Sequence, residues 1–182
     1  LDTNYNYKFK LFNEGCPIIL HIGTAENKNL ERLIPALKGI NCELHIVGKY
    51  RKDIEDMLRF YSIRYVYKCD LSNQEILDEY MNCDIVSFPS LYEGFGMPIL
   101  EAMKHGKPVI TGDLDIYKEI AGDCLNTFEM QGFNKVNFQI DSFVKKMFDY
   151  NTQIDEKAYR DAINKYSPEH LGGIVRKFIE DN

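Results

Sequence analysis

One stretch limits the folds open to this chain more than any other, the run from Asp84 to Gly112. Ile85, Val86 and Phe88 make a short apolar segment that Pro89 and Ser90 stop. A segment so filled has no wet face, which predicts a strand buried on both sides of a parallel sheet. A loop carrying Gly94 and Gly96 follows, and Pro98 then suits the first turn of a helix, where its missing N–H costs nothing. Ile99, Leu100, Ala102 and Met103 continue that helix to His105 and Gly106, and Val109 with Ile110 opens the next strand. The unit is strand, glycine loop, helix, strand. Its helix start leaves N–H groups free beside the positive end of the helix dipole, an arrangement that receives a phosphate.

Two carboxylates sharpen this expectation. Glu93 lies in the loop and Glu101 on the helix, about 6 Å of axial rise beyond Met97. That separation is too large for a close acid/base pair. It suits one carboxylate at each end of an elongated ligand, accepting hydrogen bonds from hydroxyls while the N–H groups of Gly94 to Met97 hold an anionic middle. A nucleotide diphosphate sugar has that shape.

The segment Glu93, Gly94, Phe95, Gly96, Met97, Pro98, Ile99, Leu100, Glu101 sets seven residues between two glutamates, and Ala102 to Ile110 continues it in register. It resembles the donor-binding motif of the retaining glycosyltransferases of family 4, which have the GT-B fold. The resemblance is good over about Pro17 to Phe128 and holds only in outline beyond. It implies that Glu101 binds the ribose hydroxyls, that Glu93 approaches the donor sugar, and that Gly94, Phe95 and Gly96 offer backbone N–H groups, with Met97 and Pro98 at the helix start. Gly23, Thr24 and Lys28 fall in a stretch similar to the family's other phosphate-binding segment. An arginine expected there is absent, since Thr24 and Asn27 occupy its places, and Lys49 or Arg51 would have to replace it. The nucleobase would lie near Tyr67, Lys68 and Cys69. In that family the acceptor site belongs to a second, amino-terminal domain, so the resemblance also implies that this chain alone binds nucleotide but transfers little or no sugar.

Length and charge are consistent with this. A chain of 182 residues, 45% hydrophobic and 27% charged, suffices for one good core and not for two Rossmann-like halves. A formal net charge of −6 argues against a nucleic-acid surface. The five cysteines, Cys16, Cys42, Cys69, Cys83 and Cys124, show no paired spacing, so neither a disulfide framework nor a zinc site is expected, and a reducing cytoplasmic setting follows. No apolar run approaches a membrane span. The first residue is Leu1 rather than methionine, which suggests a piece of something longer, and any peripheral membrane association is assigned to the part not in this chain. No Asp-x-Asp pattern indicates a bridging metal, and no cofactor is expected beyond the nucleotide diphosphate sugar as donor substrate.

Along the chain, residues 1–16 are expected to be an arm or linker and residues 17–182 one donor-binding domain with closing helices. Strands are expected at Ile18 to Ile22, Glu43 to Val47, Arg64 to Tyr67 and around Cys124 to Phe128, besides the two of the central unit. Leu30, Leu33, Ile34 and Leu37 mark a helix that Pro35 should kink or end early. Ile54, Met57, Leu58 and Tyr61 share the face of a helix from Lys52 to Tyr61. Ser72 and Glu75 have the spacing of a capping box opening a helix through Ile76, Leu77, Tyr80 and Met81. A short helix is expected at Asp115 to Ala121, and three more near residues 140–150, 155–166 and from Ser167 onward. Alternating strands and helices predict an α/β fold, a doubly wound, mostly parallel six-stranded sheet with helices on both faces, the Rossmann-like half of a GT-B fold.

Ligands of such sheets sit outside the carboxyl ends of the strands, which puts Lys28 on the same rim as Glu93 and Glu101. Lys28 and Glu93 are therefore the catalytic candidates, Lys28 to neutralise the diphosphate leaving group. The plainer alternatives are a solvent-facing Glu101, a Glu93 that only complements the helix dipole and a surface Lys28. His21 and His45 are expected to be satisfied histidines of the sheet, and His105 to complement the negative end of its helix. A non-catalytic module that binds nucleotide sugar or a partner is the second function class. A dinucleotide-dependent oxidoreductase is weaker, because no Gly-x-Gly-x-x-Gly follows the first strand.

Overall fold

The computed structural model describes residue 13 and residues 15–112, 114–122, 126–128 and 156–167. The strands are β1 (Ile18–Ile22), β2 (Glu43–Val47), β3 (Arg64–Lys68), β4 (Ile85–Phe88), β5 (Val109–Gly112) and β6 (Asn126–Phe128). The helices are α1 (Leu30–Ala36), α2 (Lys52–Phe60), α3 (Asn73–Asn82), α4 (Met97–Lys104), α5 (Asp115–Ala121) and α6 (Glu156–Lys165), with a 3-10 turn at Glu26–Lys28. The expected helices near residues 140–150 and after Ser167 lie outside the described residues. So does most of the expected arm over residues 1–16.

The six strands stand in the order β3-β2-β1-β4-β5-β6, and every neighbouring pair is parallel. Alternation along each strand divides the apolar side chains between two cores. Ile19, Leu44, Ile46, Ile85 and Ile110 pack with α1 and α2 on one face. Leu20, Val47, Val86, Phe88 and Val109 pack with Tyr80 of α3, with α4 and α5, and with Ile163 of α6 on the other. Every residue of β4 and β5 is buried, as the unbroken apolar run around Ile85 requires. α3 carries the chain from the edge strand β3 back to the centre at β4, and it is the first helix on the second face.

Local rules set the element ends. α1 stops one residue after Pro35, with Leu37 as its cap. At α3 the Ser72 side chain accepts from Glu75 N–H, while the Glu75 carboxylate accepts from Ser72 N–H at 2.8 Å. The far end of α3 is closed by Lys107, whose buried Nζ donates to Met81 O and Cys83 O, each at 2.9 Å. The apolar residues of α3 do not all face the core. Leu77 is exposed, whereas Glu79 is buried, because its carboxylate is held by Lys68 and by His45 Nδ1 at 2.7 Å. No helix among the described residues is long and apolar enough to cross a membrane.

Ser72→Ala removes one of the two reciprocal cap bonds of α3. It is expected to lower the unfolding free energy by about 1 kcal/mol, read as a lower urea midpoint at unchanged slope.

Candidate functional site

The strand order reverses between β1 and β4, and the loops leaving these two central strands are bonded to each other. Leu91 N–H donates to Asn27 O at 2.8 Å, and the side chains of Asn27 and Asn29 donate to Tyr92 O at 3.1 Å and Pro89 O at 2.9 Å. Gly23 opens the first loop at φ +95°, and a Cβ there would stand 2.9 Å from Cε of Lys28. Only glycine lets the Lys28 stem fold back over the chain. The ammonium then reaches Oε1 of Glu93 at 2.6 Å and lies 4.8 Å from the Phe88 ring centroid. The two leading candidates are thus brought into contact, both largely sheltered from solvent, at the carboxyl end of the sheet.

Beside them begins α4. Gly96 is its N-cap at φ +101°, no side chain caps the helix, and no acidic residue stands in its first turn. A Cβ on Gly96 would lie 3.3 Å from the Tyr117 ring, whereas Gly94 has open space around its Cα. Phe95 turns inward and meets Tyr166, just past α6, edge to face at 5.1 Å. Met97 is 41% exposed at the mouth, with Pro98 next to it in the first turn. The helix therefore presents its positive end, without an internal counter-charge, at the place where the ligand crevice of such sheets lies.

One turn further along α4, Glu101 Oε2 accepts from the hydroxyl of Tyr80 at 2.7 Å. Burial, then the Glu101 charge, raises the Tyr80 pKa well above its usual value, so the phenol stays a donor. Among the described residues Glu101 Oε1 has no hydrogen-bond partner. Glu93 and Glu101 have partners on different elements, in keeping with separate duties.

Thr24 is buried, its Oγ1 donating to Lys49 O at 2.8 Å. Arg51, a proposed stand-in for the missing arginine, donates from Nη1 to Thr24 O at 2.9 Å and pairs through Nη2 with Glu31 at 2.7 Å and with Asp53 at 2.5 Å. It clamps the Gly23 loop from behind, with its charge already matched. Lys68 turns its ammonium to Glu79, and its carbonyl accepts from Gly48 N–H at 3.0 Å; Cys69 follows, exposed. Tyr67, whose hydroxyl donates to Lys49 O at 2.8 Å, lies beside Tyr50 with ring centroids 5.6 Å apart. These two rings form an aromatic rim on the β2 and β3 side of the mouth.

His21 is a feature that sequence reasoning missed. It was expected to be satisfied, as His45 is by Glu79 at 2.7 Å and Glu43 at 2.9 Å. Instead it is fully buried next to Ser87 on β4, and neither ring nitrogen has a hydrogen-bond partner of good geometry. Burial first, then the charge of Lys28, pushes its pKa down to about 3, against a weaker opposing pull from the backbone of Gly23 and Ser87. A neutral imidazole thus lies beneath the Lys28 ammonium. Ser90 Oγ and the Tyr117 hydroxyl are likewise buried near the same loop, close to one another. His105 corrects another expectation. Burial, then Lys104 and Lys107, lowers its pKa, so it stacks as a neutral ring on Tyr80 at 5.7 Å rather than adding charge to the end of α4.

Residues 4–170 match the sequence profile of the family described as glycosyl transferases group 1. The chain is 33% identical over 131 residues to the O-antigen chain mannosyltransferase B of Escherichia coli, covering 64% of this chain and 33% of that protein. It is 27% identical over 165 residues to an uncharacterised glycosyltransferase of Methanocaldococcus jannaschii, covering 85% of this chain and 42% of the other. The chain therefore spans less than half the length of these relatives. Among solved structures, Anabaena HepE in complex with UDP and glucose superposes with a TM-score of 0.72 at 18% identity, over 92% of this chain and 49% of HepE. The apo lipopolysaccharide outer core galactosyltransferase WaaB superposes at 0.73 and 18% identity, over 98% and 55%. At that identity the structures establish a shared fold, the Rossmann-like half of a GT-B enzyme.

The buried His21 fixes the sign of one pH effect. Unfolded, the imidazole takes up a proton as the pH falls below its ordinary 6.5, whereas folded it stays neutral to about 3. Stability contributed near neutral pH is therefore lost between these values, on the order of a few kcal/mol. His21→Leu should flatten the fall in unfolding free energy measured from pH 7 to pH 4, while the wild type falls steeply.

Proposed function

Since the chain belongs to the glycosyl transferases group 1 family, we propose that it is the donor-binding half of a retaining, family 4-type glycosyltransferase. The observation that carries this reading is the uncapped start of α4, set between the Lys28–Glu93 pair on one side and Glu101 on the other. The donor diphosphate lies on the amides of Gly94, Gly96 and Met97. Oε1 of Glu101 accepts from a ribose hydroxyl while Tyr80 holds Oε2. The base stacks toward Tyr67, Tyr50 and the backbone of Lys68 and Cys69.

As the bond from the sugar's anomeric carbon to the diphosphate breaks, negative charge grows on the leaving phosphate. Lys28 and the end of α4 face that charge from two sides, in place of a bridging metal, and such preorganised charge lowers a barrier strongly. For Lys28 to serve the phosphate it must leave Glu93, which is then free to accept from hydroxyls of the donor sugar. The neutral state of His21 suits this exchange, because a second cation beneath Lys28 would oppose it. The acceptor is bound by a further, amino-terminal domain of the whole enzyme, on the cytoplasmic side, so this chain by itself binds donor without transferring sugar.

A non-catalytic nucleotide-sugar module is the second reading. What favours it is Arg51, whose charge is spent on Glu31 and Asp53 and leaves Lys28 as the cation beside the Glu93 loop that leads into α4. Sugar transfer by the whole protein would decide for the enzyme, and binding without transfer for the module.

The binding step is read by thermal shift with nucleoside diphosphates, beginning with UDP, the nucleotide held by HepE. Ligand at 100 times its dissociation constant should stabilise the fold by about 2.7 kcal/mol, and EDTA should leave the shift unchanged. Lys28→Met and Glu101→Ala should each weaken binding, by about 1–3 kcal/mol for a lost charge-assisted bond. Glu93→Gln should tighten binding of the bare diphosphate, because Lys28 no longer has to leave a carboxylate, and weaken binding of the nucleotide sugar. Absence of a shift with every nucleoside diphosphate would remove both readings.

A further inference from the structure

Glu101 is gripped from a second helix. It lies one turn into α4, and His105, the C-cap of that helix, follows one turn later on the same face. Tyr80, from the last turn of α3, covers both. Its ring stacks on the His105 imidazole, with centroids 5.7 Å apart and planes 16° from parallel, while its hydroxyl donates to Glu101 Oε2 at 2.7 Å. The same two helices are tied again just beyond this contact. Lys107 Nζ donates to Met81 O and Cys83 O, each at 2.9 Å, and Lys107 N–H donates to Ala102 O of α4 at 2.9 Å. Tyr80 is fully buried and is thus held by packing, whereas Glu101 is only partly covered.

A glutamate free in solvent samples many rotamers, and ordering it when a ligand arrives costs affinity. Here Oε2 is fixed on a buried hydroxyl before any ligand arrives, and Oε1 is the oxygen without a hydrogen-bond partner among the described residues. An ionised carboxylate accepts and cannot donate, so it rewards a hydroxyl and gains nothing from a methylene in the same place. We propose that Tyr80 is a positioning residue for nucleotide recognition, which presets the Glu101 carboxylate against the vicinal hydroxyls of the donor ribose and so makes the site select ribose over a sugar lacking them. The inference rests on the donor-binding reading and adds the residue from which its selectivity for ribose comes.

The protonation states fit that role. Burial, then the charge of Glu101, keeps the Tyr80 phenol protonated, so the direction of the bond does not change in the ordinary pH range. Burial, then Lys104 and Lys107, holds the His105 pKa below its usual value and keeps the ring neutral at neutral pH. An imidazolium one turn from Glu101 would attract its carboxylate and compete with Tyr80. A neutral ring instead offers a flat surface that steadies the phenol. Neither side chain needs to touch the nucleotide, because both act through Glu101.

Calorimetric titration of the unaltered chain and of Tyr80→Phe, each with UDP and with 2′,3′-dideoxy-UDP, pairs one change in the protein with one in the ligand. The unaltered chain should bind UDP about tenfold more tightly than the dideoxy analogue, the factor that a hydrogen bond to a charged group carries. Tyr80→Phe keeps the ring and its stacking on His105. It should lose most of that preference by weakening UDP while leaving the affinity for the analogue unchanged. Equal weakening of both ligands would mean that the hydroxyl serves the fold alone and would overturn the proposal, as would a variant that keeps the full preference. A crystal structure of the unaltered chain with UDP reads the same point without relying on the variant to fold. Tyr80 on Oε2 with a ribose hydroxyl on Oε1 is the expected result, and a Glu101 drawn away from Tyr80 overturns the proposal. Equal affinity of the unaltered chain for both nucleotides sinks this inference and leaves the donor site standing, whereas no binding of either removes the donor site and the inference together.

Discussion

The contact on which the site depends is the pairing of β1 with β4, which sets the Gly23 loop against the Glu93 loop. Ile19, Leu20 and His21 lie opposite Ile85, Val86 and Ser87, and the chain leaves both strands at the same level of the sheet. Everything at the mouth is built on that register. The asparagines at 27 and 29 bond across to the backbone of the second loop, and Lys28, between them, reaches Glu93. A slip of one residue between the two strands would turn these side chains to the wrong face and separate the pair.

In the proposed mechanism the pair is the state before ligand binds. A partly sheltered ammonium and carboxylate in contact satisfy one another without ligand, and the cost of drawing Lys28 away is set against what a diphosphate gives at the end of α4. The same economy appears behind the loop, where Arg51 is matched by Glu31 and Asp53. Free positive charge is thereby concentrated at the helix end. The buried imidazole of His21 and the buried hydroxyls of Ser87, Ser90 and Tyr117 underlie the same loops. They leave the ground beneath Lys28 polar and neutral.

Much of this was legible from the residues, for reasons that differ by element. The bounds of β1, β2 and α5, the capping box of α3 and the early end of α1 at Pro35 are local consequences of periodicity and caps, and they appear as expected. The start of α4 was legible because glycine and proline mark it. The burial of Glu79 on α3 was not legible, because the partners that hold it, Lys68 and His45, come from two other strands. His21 was misread for a similar reason. Nothing nearby in sequence says that its strand neighbour is Ser87 or that Lys28 lies above it.

The central claim is that a diphosphate displaces Glu93 from Lys28 and settles on the start of α4. A crystal structure of the chain with a nucleoside diphosphate tests it most directly. Phosphate oxygens within hydrogen-bond distance of the Gly94 to Met97 amides, with Lys28 Nζ turned to them and away from Glu93, is the predicted result. A nucleotide bound elsewhere, or one seated at α4 while the Lys28–Glu93 contact stays closed, would contradict it.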